Sequence, residues 1–385
     1  MAMLFDDKHL EDPYPRYARW RASEPIWFDK ENNAWVLSRF EDIRRVFKDP
    51  ETFSSNADAP GSTLMLPLLM DDPPRHTKLR ALVNRAFTTR ALKDMEQGVA
   101  ALARDMVAQL DASAPVDIAE ALTIPLPIRV IADLMGIPAE RAAEFKRWSD
   151  AVTLTTEMSE EARMKDIMEL FAFFQAMLPE RRAKPGEDLV SRLVTAEVDG
   201  DVLSDEDIVG FAILLLIAGN ETTTNLLSNL LYYLSTHPQD WDRLRADQAL
   251  IDAAIEEILR FDAPVQYVDR KATRDVEFHG QVIKAGERVS LLMGSANRDE
   301  NEYEHPDQFR LDRGRSHHHT FGHGIHFCIG APLGRMEARS AMEALLQRFS
   351  SLRPAQVGNE RTHSHMLRGF HHLWLEFDVA KQAAA

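Results

Sequence analysis

The chain has 385 residues, 45% of them apolar and 28% charged, and a formal net charge of −16. That length can bury the core of one large domain or two ordinary ones, and the charge argues against a general affinity for nucleic acid or anionic membranes. A single cysteine excludes an internal disulfide, so nothing points to an oxidising compartment. The N-terminal MAMLFDDKHLEDPYPRYARW is acidic and proline-bearing, unlike a signal peptide or membrane anchor. The longest apolar stretch, Val209 to Ala218, is about half of what spans a bilayer. The expectation is a soluble, cytoplasmic protein.

In chain order, WVLSR (35–39) is a strand candidate, and RHTKLRALVNRAFTT (75–89) spaces Leu79, Leu82, Val83 and Phe87 as a helix does. VDIAEALTIPLPIRVIADLMG (116–136) and DIMELFAFFQAML (166–178) carry helical signals too. EDIVGFAILLLIAGNETTTNLLSNLLYYLSTHP (206–238) is the longest helix candidate, apolar nearly all round in its middle, and so belongs at the centre of the molecule. LIDAAIEEILRF (250–261) is a further helix, followed by a strand-rich segment from Arg270 to Gly294 in which Gly280 and Gly286 mark turns. APLGRMEARSAMEALLQRF (331–349) is helical, and LWLEFDV (373–379) closes the chain as a strand. The sum is a mainly α fold with small β-sheets. No repeat, linker or composition break divides residues 1–385, which are expected to form one domain.

FGHGIHFCIG (321–330) holds the one cysteine. A lone cysteine is most often an inert buried hydrophobe. Here Gly322, Gly324 and Gly330 allow tight backbone turns, and Pro332 opens a helix just beyond. Cys328 therefore precedes a helix N-terminus, where the dipole and free N–H groups favour a thiolate suited to nucleophilic, redox or metal-binding work.

Phe321, Gly322, Gly324, His326, Cys328 and Gly330 match FGxGxHxCxG, and in this the sequence resembles the cytochrome P450 family of the soluble bacterial type. The resemblance implies the P450 fold, with a long central helix over a haem and the cysteine loop beneath. It makes Cys328 the thiolate ligand of the iron in haem b (iron protoporphyrin IX). In AGNETT (218–223), Glu221 and Thr222 match the family's acid–threonine pair. The pair would serve proton delivery and oxygen binding, while Ala218 and Gly219 leave room for dioxygen. A bare carboxylate at that depth would otherwise be costly.

Glu257 and Arg260 share a helix face about seventy residues before the cysteine. They match the ExxR element, with Arg310 in HPDQFRLDR as the third member of a structural lock. His76 and Arg80 lie one helical turn apart in HTKLR and, with Arg270 and His326, match the groups that hold haem propionates. The resemblance runs from DPYPRYARWR (12–21) to RGFHHLWLEF (368–377) and includes ANRDEN (296–301) and EHPDQF (304–309). One departure is that only 15 residues separate FSS (53–55) from DDPPRH (71–76), which is short for the loop that usually covers the substrate pocket.

By position in the family, substrate contacts fall at Leu64, Met65, Leu66, Leu214, Ile217, Ala218, Val265, Gln266 and Phe370, a mostly apolar set. The implied activity is a monooxygenase that uses O2 and two electrons on a mainly hydrophobic small organic molecule. The electrons would come from a ferredoxin and its reductase, since no flavin or iron–sulfur motif is present. Arg335 and Arg339, after the cysteine, are candidates for the docking face. A peroxide-driven P450 is an alternative, disfavoured by the acid–threonine pair. A non-catalytic haem carrier is another, which would not need that pair. Zinc bound by His317, His318, His319, His323, His326 and Cys328 is a third, without the usual paired-cysteine or HExxH spacing.

Overall fold

The computed structural model describes residues 6–57, 66–153, 159–314 and 317–380, which leaves the nominated Leu64 and Met65 outside the described residues. The helices that position the site are, in chain order, α1 (Arg75–Ala86), α2 (Thr89–Ala108), α3 (Pro125–Leu134), α4 (Ala142–Thr153), α5 (Asp205–Thr236), α6 (Ile251–Phe261) and α7 (Ala331–Arg348). The strands that bear on the site are β1 (Ile26–Asp29), β2 (Ala34–Leu37), β3 (Phe53–Ser54), β4 (Val268–Ala272), β5 (Arg288–Leu291), β6 (Phe349–Pro354), β7 (Phe370–His372) and β8 (Trp374–Val379).

The central helix α5 runs unbroken for 32 residues, about 48 Å at 1.5 Å per residue. Its start is fixed by a capping box in which Ser204 and Asp207 satisfy each other's backbone N–H groups. Asp205, Glu206 and Asp207 suit the positive end of the helix dipole. Its apolar window is as long and hydrophobic as a membrane span, yet 72% of that window is buried inside the protein, so α5 is a core helix. It packs against α3, α4, α6 and α7, and all of them share one continuous apolar cluster.

A second apolar cluster lies under a five-stranded sheet of order β1-β2-β5-β4-β3, in which only the β2–β5 pairing is parallel. Between β4 and β5, Gly280 (φ +76) and Gly286 (φ +88) take the left-handed conformations that the sequence pattern calls for.

The structure breaks two expected helices. Residues 116–136 divide into a short strand pairing Val116–Asp117 with β8, a π-helical turn over Ala119–Thr123, and α3. Asp117 causes the first break, because its carboxylate accepts the N–H groups of Ala119 (3.2 Å) and Leu373 (3.0 Å). Pro125 then opens α3, where its missing N–H costs nothing. The helix begun at Arg75 ends at Ala86, because the Thr88 hydroxyl caps α2 by accepting the N–H of Ala91 (3.1 Å).

Candidate active site

The cysteine loop is shaped by two glycines. Gly322 and Gly324 have φ of +70 and +71, and a Cβ on Gly324 would lie 2.4 Å from the carbonyl oxygen of Phe47. Gly330 differs from that expectation: it is the N-cap of α7 at φ −80, and a Cβ there would meet Cys328 Sγ only at 3.8 Å. The Cys328 N–H donates to the Phe321 carbonyl (2.9 Å), which directs the side chain. Solvent reaches Cys328, and Ile325 (36% exposed) and Phe327 (42%) form an apolar rim beside it.

Burial raises the Cys328 thiol pKa, opposed by the N–H groups of Gly330 and Ala331 and by the charges of Arg80 and Arg335. The helix N-terminus therefore acts in the expected direction without outweighing burial. A metal ion at sulfur would complete the deprotonation.

The four groups nominated for propionates converge from three segments. His76, on α1, is 2% exposed, and neither of its ring nitrogens has a hydrogen-bond partner. Its ring lies 4.2 Å from that of His326, whose Nε2 is 2.9 Å from Ser55 Oγ. Burial, then Arg270, His76 and Arg80, push the His326 pKa down to about 3, so the ring is neutral. Arg80 donates to the Phe327 carbonyl (2.8 Å). Arg270, on β4 opposite Val289, donates to the Asp269 carbonyl (2.7 Å), and no carboxylate among the described residues lies within ion-pair distance of it. Burial lowers the Arg270 pKa to about 10. Asp72 and Asp269 offset part of the Arg270 charge from a distance, and a buried imidazole with two idle nitrogens beside a guanidinium with no direct ion pair leaves room for anionic acceptors. A haem with two carboxylates fits that demand.

On α5, the Thr222 hydroxyl donates to the Ala218 carbonyl (2.6 Å). Glu221 has an Oε1 without a partner, and burial together with the negative charge of Asp150 on α4 lifts its pKa to about 7. Asn220 donates to Ser149 Oγ (2.7 Å) and ties α5 to α4 at this level. Ala218 is exposed, but Gly219 does not open space: a Cβ there would lie 2.7 Å from Ile131 Cδ1, so it serves close packing of α5 on α3.

The lock exists with a different third member. Arg260 grips Glu257 with two bonds (2.8 and 2.9 Å), both side chains being buried. The arginine that reaches Glu257 is Arg313, whose Nε lies 2.9 and 3.1 Å from the two carboxylate oxygens. Arg310 offers Glu257 only its backbone N–H (2.9 Å) and turns its guanidinium to Asp312. The two arginines are three apart in an irregular segment, where no periodicity says which side chain points inward.

Among the pocket nominees, Ile217 is half-buried, Leu214 is fully buried within the main core, and Leu66 packs partly against that core. Val265 forms an isolated backbone bridge with Leu367.

Two nominees are corrected. Gln266 is buried, donates to the Ala263 carbonyl (2.7 Å) and presses on Gly294, where a Cβ would lie 2.2 Å from its Oε1. Phe370 packs on Tyr232 (4.8 Å between centroids) beneath Arg361 (4.3 Å). Tyr232 is ten residues beyond Thr222, about 15 Å along the helix.

Nor do Arg335 and Arg339 present free cations, since Arg335 pairs with Glu256 (2.5 Å) and Arg339 with Asp252 and Glu343. Histidines of the proposed zinc set are dispersed: His318 faces Glu256 (3.3 Å), His319 the Phe40 carbonyl (3.1 Å) and His326 Ser55.

A family model described as cytochrome P450 matches residues 151–370. The chain belongs to the cytochrome P450 family. It is 39% identical over 357 residues to the cytochrome P450 monooxygenase PikC of Streptomyces venezuelae, covering 89% of this chain and 85% of that one. The solved structure of CYP109E1 from Bacillus megaterium in complex with testosterone superposes with a TM-score of 0.89 at 38% identity, covering 95% of this chain and 99% of that chain. CYP109Q5 from Chondromyces apiculatus superposes with a TM-score of 0.93 at 36% identity, covering 98% of each chain. This P450 is accordingly an oxidoreductase of the monooxygenase kind. The family implies a haem-iron cofactor, O2, an electron-transfer partner and a small organic substrate.

Proposed function

We propose that residues 1–385 form a single-domain, cytoplasmic P450 monooxygenase that binds haem b, takes two electrons from a ferredoxin system and oxidises a mainly hydrophobic molecule of about steroid size. The observation that carries the reading is the buried, partnerless His76 set against His326 and near Arg80 and Arg270, in a chain whose one cysteine lies two residues before the N-cap of helix α7. His76, Arg80, Arg270 and His326 would hold the haem carboxylates, and Cys328 would ligate the iron. A single cysteine permits neither a two-cysteine covalent haem attachment nor an iron–sulfur cluster within this chain.

When bound, the cofactor supplies O2 binding and electron uptake at iron. This chain supplies the rest. Glu221, with a pKa near 7, can hold and release a proton at neutral pH. Thr222 carries a hydroxyl one residue on. Leu66, Ile217, Ala218 and Val265, nominated by family position, carry no charge and would suit a mainly hydrophobic substrate, in keeping with a neighbour solved with testosterone.

The test compares product formation with ferredoxin, its reductase and O2 against hydrogen peroxide alone, on steroids that shift the Soret band. Faster turnover by the dioxygen route is expected. Equal or faster turnover with peroxide, unaffected by Glu221→Gln, would favour the peroxygenase.

A further inference from the structure

Beside the Glu257 lock lies a second charged cluster that the reading above leaves unused. Glu256, the neighbouring residue on α6, accepts two bonds from Arg335 of α7, Nε to Oε1 at 2.5 Å and Nη2 to Oε2 at 2.9 Å. His318, at the entrance of the cysteine loop, brings Nε2 within 3.3 Å of the same Oε2. The Arg335 guanidinium also lies 4.5 Å from the ring centroid of Phe321. Phe321 is the residue whose carbonyl takes the Cys328 N–H. Two residues of the loop are thus fastened to one ion pair, and Thr320 adds a third tie by donating to the Leu259 carbonyl of α6 (2.6 Å).

The charges are not idle surface. Burial would raise the Glu256 carboxyl, yet Arg335 and His318 hold its pKa down to about 2.

We infer that Glu256 and Arg335 are paired positioning residues that set the charge felt at Cys328: Arg335 supplies the cation next to the ligand loop, and Glu256 fixes its place and offsets part of its charge. The inference rests on Cys328 ligating the haem iron. It assigns Arg335 to tuning the cofactor rather than to a free docking face. A cation near sulfur favours the state with one more electron, and an anion disfavours it. The two members of the pair should therefore act on reduction in opposite senses.

The experiment measures the haem midpoint potential by spectroelectrochemical titration, together with the ferrous carbon monoxide band, for wild type, Glu256→Gln, Arg335→Gln, the double variant and Arg335→Lys. Arg335→Gln should lower the midpoint and Glu256→Gln should raise it, with the double variant between them. Arg335→Lys keeps the charge but loses the fork. It should stay near the wild-type potential while converting faster to the form absorbing at about 420 nm in mild denaturant. Single variants that leave the potential unchanged, or move it in the same direction, overturn the inference while a wild-type band at about 450 nm preserves the haem-thiolate reading. A wild type without that band removes both.

Discussion

At the scale of single residues, two buried groups carry opposite kinds of tension. Glu221 is lifted from 4.5 to about 7, so the folded state binds its proton more tightly than the unfolded chain does. That contribution is fully present below pH 4.5 and is lost as pH rises through about 7, a span of about 3 kcal/mol. Urea unfolding of wild type and Glu221→Gln at pH 5 and pH 8 should show the wild type losing stability relative to the variant at the higher pH. Parallel behaviour would mean that Glu221 is already solvated or paired.

His76 is the other case. His76→Leu removes two unsatisfied buried nitrogens and should leave the haem-free chain as stable as wild type or up to about 2 kcal/mol more stable. The same change should weaken haem retention, measured by transfer to apomyoglobin. A haem-free chain strongly destabilised by His76→Leu would show that the imidazole has a structural partner instead.

Between elements, the decisive contact is the one that ties α6 to the segment before the cysteine loop. Arg313→Ala leaves the buried Glu257 carboxylate with one guanidinium fewer and removes bonds to the carbonyls of Glu304, His305 and Gln308. It should cost about 3 to 5 kcal/mol in chemical unfolding. Arg310→Ala keeps its backbone bond to Glu257 and should stay within about 0.5 kcal/mol. The reverse ranking would restore Arg310 as the lock.

This is also where sequence reading reaches its limit. The spacing of Glu257 and Arg260 is a helical property and was legible. The choice between Arg310 and Arg313 depends on an irregular backbone and was not. Likewise the helical signal over 116–136 was read through Asp117, because its partners Leu373 and His372 are more than 250 residues away. The long helix α5 was legible because its apolar surface and capping box are local features.

For the whole molecule, the proposed haem contacts come from α1, from β4 on the sheet side and from the loop that enters α7. Haem would therefore join the sheet cluster to the helical core. Stability should rise with haem by mass action, since only the folded chain assembles all four groups. Thermal unfolding of the haem-free chain, with and without added hemin, should show a higher midpoint in the loaded sample. No change on loading would mean that the groups do not act together.

Motif order along the chain was enough to find this convergence. It was not enough to place Phe370, because a residue late in the chain returns to the far end of α5 and not to the acid–threonine pair.

The most direct test of the central claim is the absorbance of dithionite-reduced protein under carbon monoxide, for wild type and Cys328→Ser. Thiolate-ligated haem predicts a Soret band at about 450 nm in the wild type and its loss in the variant. A folded, haem-supplied wild type that shows no such band, or a variant that keeps it, would contradict the assignment of Cys328.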